Sequence, residues 1–152
     1  MPFLSGRGLR NRYVPPGSLR RQLAEIELLL DRIRLIPIAE PLKKRMLIHA
    51  IWEVAFATGS FLGRYRSESV IRQVGLPIQR DHICRKETLV QELLGRPPDV
   101  ERIIGRAHCC VVTKDEHKRL SRVGGEIEGW ERNLVAGTTV YAMLDQTKMD
   151  LH

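Results

Sequence analysis

The chain has 152 residues, 43% hydrophobic and 28% charged, which fits one globular domain and excludes disorder of the whole chain. Lys and Arg total 25 against 18 Asp and Glu, and the resulting charge of +7 favours an anionic partner, nucleic acid first. No internal period marks a repeat array, and no apolar run approaches the roughly 18 residues that span a bilayer, so no membrane partner is expected.

The charge is uneven. Five arginines and no acid fall in residues 1–24, which leaves only +2 for residues 25–152. Residues 1–17 read as a flexible basic arm, broken by Gly6, Gly8, Pro15, Pro16 and Gly17, with Arg7, Arg10 and Arg12 as candidate nucleic-acid contacts. The arm lacks the apolar stretch of a signal peptide. Cys84, Cys109 and Cys110 are too few and too uneven for a disulfide framework, so a reducing, intracellular (cytoplasmic) setting is expected.

Residues 18–75 read as a helical hairpin or small bundle. Ser18 is the expected cap of a first helix, whose stripe Leu19, Leu23, Ile26, Leu30 and Ile33 recurs at three- and four-residue steps. Pro37 stops it. This helix, over residues 19–36, is also the candidate surface for pairing with a second copy. Pro41 opens a second helix with Leu42, Met46, Ile51 and Val54 on its inner face, ended by Gly59 or Gly63. Ser67 to Val74 reads as a short third helix before Gly75.

The second half changes character. Residues 76–79 can be extended, followed by Asp81-His82-Ile83-Cys84. Glu87 to Leu94 reads as a helix ended by Gly95 and Pro97-Pro98, and Val100 to Ile104 as one or two further turns. Cys109 to Val112, with Thr113, is the best strand in the chain. Thr113 and Glu116 have the spacing of a capping box, so a helix is expected from Lys114 to about Val123, before Gly124-Gly125. Residues 124–152 read as a tail packed on the core, with Trp130 and a strand over Thr138 to Met143.

Three histidines stand out: His82 after Asp81, His108 at the start of the strong strand, and His117 on the capped helix nine residues later. The order strand, Asp-His, inserted helix, strand, helix over about residues 76–123 resembles the HNH, or ββα-metal, endonuclease family. The segment from His108 to His117 carries most of the likeness. The resemblance implies an α+β, mainly helical chain: an N-terminal helical bundle, then a ββα-metal unit with a helical insertion in its hairpin. It implies DNA phosphodiester hydrolysis; RNA stays open as a partner. His82 is the implied general base, His108 its orienting partner, and Asp81 and His117 are the implied metal ligands. The sequence departs from the family pattern at Cys84, where Pro is common, at His108, where Asn is commoner, and at Ser121, a poor substitute for a third ligand.

The chemistry is consistent with those residue types. Phosphodiester hydrolysis needs an activated water, stabilisation of a crowded anionic transition state and help for the leaving oxygen. Carboxylate plus imidazole suits Mg²⁺ or Mn²⁺, with Zn²⁺ or Ni²⁺ as alternatives. Imidazole is the natural base near neutral pH. Arg80, Arg85 and Lys86 flank Asp81-His82, and Lys114 and Lys118 flank His117, as candidate phosphate contacts. Two other readings stand beside this one. One is a nucleic-acid-binding protein without catalysis. The other is an interaction module stabilised by Zn²⁺ on the cysteines and histidines, although no C-x-x-C occurs.

Overall fold

A computed structural model describes residues 13–73, 75–95 and 98–151, so Arg7, Arg10 and Arg12 lie outside the described residues. The fold is α+β, built on one mixed five-stranded sheet. The first helix, α1 (Leu19–Leu35), buries Ile26, Leu30 and Ile33 along the expected stripe. Ser18 does not cap it with its side chain; its backbone is already helical, at φ −89° and ψ 0°, and its carbonyl accepts from Gln22. The opposite face of α1 leaves Leu28 and Leu29 exposed at 56% and 44%.

Helix α2 (Glu40–Ala57) opens with Pro41 in its first turn and packs antiparallel to α1, as the short connection requires. Its buried face is Leu47, Ala50, Ile51 and Val54. Leu42, expected inside, is 42% exposed, because it sits in the first turn, at the rim of that face. Thr58 closes the helix by returning its hydroxyl to the Val54 carbonyl at 2.8 Å. A 3₁₀ turn, Ser60–Leu62, follows.

Helix α3 (Glu68–Arg72) lies within the expected third helix, capped by the Ser67 side chain, and is preceded by an unexpected strand β1 (Tyr65–Ser67); Val74 lies outside the described residues. Then come β2 (Ile78–His82), α4 (Lys86–Leu94), α5 (Val100–Arg106), β3 (Cys109–Thr113) and α6 (Lys114–Ser121). The tail holds α7 (Trp130–Val135), β4 (Val140–Ala142) and β5 (Thr147–Lys148).

The strand order is β2-β3-β1-β4-β5. β2 and β3 pair antiparallel, with Asp81 opposite Cys110 and His82 opposite Cys109. β1 runs parallel to β3 and antiparallel to β4, so the helical half, the hairpin and the tail share one sheet. One core lies among α1, α2, α4 and α5, around Leu30, Leu47, Ile51, Leu89 and Leu93. A second lies on the sheet face holding Cys110, Val112, Leu120 and Val140. Tyr13 is anchored by its N–H to the Met143 carbonyl at 2.8 Å and packs on Ile71 and Tyr141, so the described end of the arm is fixed to the fold. No described helix is long and apolar enough to cross a membrane.

Candidate active site

The hairpin and the helix after it bring together residues that are distant in sequence. β2 is an edge strand, and successive side chains along it point to opposite faces. Asp81 therefore faces α6 and α7, while Arg80 and His82 face α2 and the 3₁₀ turn. The Thr113 cap fixes where α6 begins. Its hydroxyl accepts from the Glu116 N–H at 3.2 Å, and Glu116 accepts from the Thr113 N–H at 2.9 Å. Glu116 is buried and also takes the Ser67 hydroxyl at 2.6 Å, tying the helix start to β1. A cap of this kind contributes about 1 kcal/mol, and here it sets the rotation that aims His117 at the hairpin.

Nδ1 of His117 lies 3.1 Å from Oδ1 of Asp81. The Asp81 side chain is 7% exposed and that of His117 30%, so the pair is rooted inside and opens to solvent on the imidazole side. It borders a groove of about 360 Å³ that Trp52, Arg80, His82, Lys86 and Arg132 also line.

Arg132 was not singled out in the sequence. Its buried guanidinium pairs with Oδ2 of Asp81 and donates to the His82 carbonyl at 3.1 Å. Helix α7 presents it. Gly129 precedes that helix at φ 66° and ψ −149°, a conformation that L side chains rarely adopt, and so permits the turn. Trp130 then stacks edge-to-face on Tyr65, with centroids 4.9 Å apart. The sequence reading places only Trp130 and a strand in this tail; a helix of six residues has too little periodicity to stand out.

His82 is buried. Its ring meets Trp52 edge-on at 4.3 Å, and Nε2 has no hydrogen-bond partner among the described residues. Burial, reinforced by Lys86, Arg80 and Arg132, pushes its pKa down to about 3. Burial pushes the Asp81 carboxyl up, against the opposing pull of Arg132 and His117. His108 lies apart from the groove, with its ring edge-on to Tyr65 at 6.4 Å and its pKa lowered by burial and then by Arg64. Its tie to the Asp-His segment is through the backbone, the carbonyl accepting from the Ile83 N–H at 3.1 Å.

The basic residues divide by role. Arg85 is committed within the fold: its guanidinium donates to the carbonyls of Val123, Gly124, Gly125 and Ile127 and pairs with Glu128 at 3.2 Å. Arg80 stacks over Trp52, Phe56 and Phe61 at 4.6–5.1 Å and donates to the Ser60 hydroxyl. Lys86 rests over Trp52 at 4.7 Å and faces the groove without an ion-pair partner among the described residues. Lys114 and Lys118 are exposed on α6, outside the groove lining, and Lys118 approaches Asp115 at 3.8 Å.

The Asp81–His117 contact is a hydrogen bond, and a shared cation would sit in place of its proton. With bonds of about 2.1 Å, neighbouring ligands of an octahedral ion stand about 3 Å apart. The donor set is one hard oxygen and one imidazole, and among the described residues no group of three His, Cys, Asp or Glu surrounds it, so water or substrate would complete the shell. The cysteines offer little to a metal. Cys84, Cys109 and Cys110 are free and buried, and burial pushes the Cys109 thiol up to about 12 and Cys110 well above its ordinary value. No family model, curated protein or solved structure matches the chain.

Proposed function

We propose that the chain is a metal-dependent endonuclease that hydrolyses DNA phosphodiester bonds at an HNH-type site in this groove. The 3.1 Å approach of Asp81 and His117, at the junction of an antiparallel hairpin and a capped helix, carries the reading. Asp81 and His117 would hold the cation. Such an ion, when bound, supplies charge stabilisation to the phosphate and to the leaving oxygen. Lys86 lies along the groove where it can hold a phosphate oxygen. His82 borders the same groove and would accept the proton of the attacking water; the burial that pushes its pKa down to about 3 would have to be relieved for it to do so. The exposed Lys114 and Lys118 and the arm arginines add affinity for the backbone without reading sequence.

The burial of His82, which pushes its pKa down to about 3, favours a second reading, a nucleic-acid-binding protein with the same fold and no cleavage. Plasmid nicking in Mg²⁺, Mn²⁺ or Ni²⁺ against chelator separates the two. Nicking in any of these ions, abolished by chelator and by His82→Ala, supports the nuclease. Salt-dependent binding with no nicking in any ion supports the binding protein.

A further inference from the structure

We infer that Arg132 is a built-in counter-ion to Asp81, so that a divalent cation engages Asp81 and His117 only together with a phosphate group in the groove. The inference rests on the nuclease reading and concerns the order in which the site fills.

Both oxygens of Asp81 are already in use: Oδ2 meets Arg132, and Oδ1 faces His117. The two partners of the Asp81–Arg132 pair are 7% and 6% exposed, so water does little to screen it. Its carboxylate charge is therefore balanced before any ion arrives. A cation at Oδ1 would meet one carboxylate with a fixed positive charge directly behind it. No further His, Cys, Asp or Glu among the described residues joins the pair into a larger cluster. Lys86 and Arg80 add positive charge to the same groove, and Glu87 is the other carboxylate in its lining. Hard divalent ions are held by several oxygens, commonly anionic ones. The negative charge lacking here is what a phosphodiester brings.

Arg132 is not free to swing away when an ion approaches. Its guanidinium also holds the His82 carbonyl. Helix α7 is pinned by the contact of Trp130 with Tyr65, and the segment before it by the bonds of Arg85 to the 123–128 loop. A guanidinium also stays charged at every working pH. The resting groove thus attracts an anion before a cation. Because binding linkage is reciprocal, whatever factor DNA adds to metal affinity the metal adds to DNA affinity.

The test uses the full chain, Mn²⁺ and a short fluorescein-labelled DNA duplex. Wild-type protein should bind the duplex in chelator, and replacing chelator with Mn²⁺ should tighten binding by about tenfold or more. Mn²⁺ without DNA should leave the wild-type Tm unchanged. Asp81→Asn should lose the Mn²⁺ gain, and with the Arg132 charge uncovered its affinity in chelator should rise. In Arg132→Gln, Asp81 has lost its partner, so Mn²⁺ alone should raise Tm by several degrees. If that variant does not fold, the wild-type arms decide. A wild-type Tm that rises with Mn²⁺ alone, with DNA affinity insensitive to Mn²⁺, overturns the inference; if nicking persists, the nuclease reading stands. Absence of any Mn²⁺ effect together with absence of nicking overturns both.

Discussion

Trp52 stands edge-on to His82, ring centroids 4.3 Å apart and planes at 77°, and His82 Nε2 is buried with no hydrogen-bond partner among the described residues. The contact makes the protein acid-sensitive. The folded pKa of His82, about 3, lies below its ordinary value of 6.5, so as pH falls the unfolded chain takes up a proton that the folded chain refuses. The stability is fully present above pH 6.5 and is lost as pH falls toward 3. The limiting slope is about 1.4 kcal/mol per pH unit. Urea unfolding between neutral pH and pH 4 measures it. His82→Asn should flatten the curve relative to wild type, and identical curves for the two proteins would contradict the burial argument.

Arg85 and Lys86 are neighbours in sequence with different work. Both line the groove, but the Arg85 guanidinium is engaged by the 123–128 loop, whereas Lys86 has no ion-pair partner among the described residues. Lys86→Ala should weaken DNA binding and reduce the slope of log affinity against log salt by about one. Arg85→Met should lower Tm and speed amide exchange across 123–128, with the salt slope changing by less than in the lysine variant. Equal loss of salt slope in both variants would place Arg85 on the DNA instead.

The cysteines should behave as buried apolar groups. With Cys109 pushed up to about 12 and Cys110 well above its ordinary value by burial, almost no thiolate of either is present at pH 8. Reaction with a thiol-specific disulfide reagent should be negligible in the native protein at pH 8 and reach all three thiols in denaturant. Rapid native reaction at Cys109 or Cys110, or protection lifted by a zinc chelator, would contradict the packing described for β3.

Which features were legible in the chain follows from how local their physics is. The stripe of α1 and the Thr113–Glu116 cap are short-range patterns, and both appear in the structure where the residues indicated. β1 was missed because Tyr65-Arg66-Ser67 is three residues long and becomes a strand through its neighbours, β3 on one side and β4 on the other. Of the candidate site, the approach of Asp81 to His117 was legible as spacing across a hairpin. Arg132 was not, since it arrives 51 residues after Asp81 on a helix too short to announce itself. The basic cluster divides for a related reason. The sequence marks Arg80, Arg85 and Lys86 alike as candidate phosphate contacts, but long side chains also serve as packing and as donors to loop carbonyls, and only tertiary neighbours decide which.

The central claim is that Asp81 and His117 form a metal-dependent cutting site. The most direct measurement compares plasmid nicking in Mn²⁺ by wild type and by His117→Ala. His117 is partly exposed, so the variant should keep the wild-type Tm within a few degrees. The account predicts nicking by the wild type, none in chelator, and a loss of at least about 100-fold in the variant, in line with removal of one of two protein ligands. Wild-type protein that binds DNA but never nicks it, or a folded His117→Ala that nicks at the wild-type rate, would contradict the account.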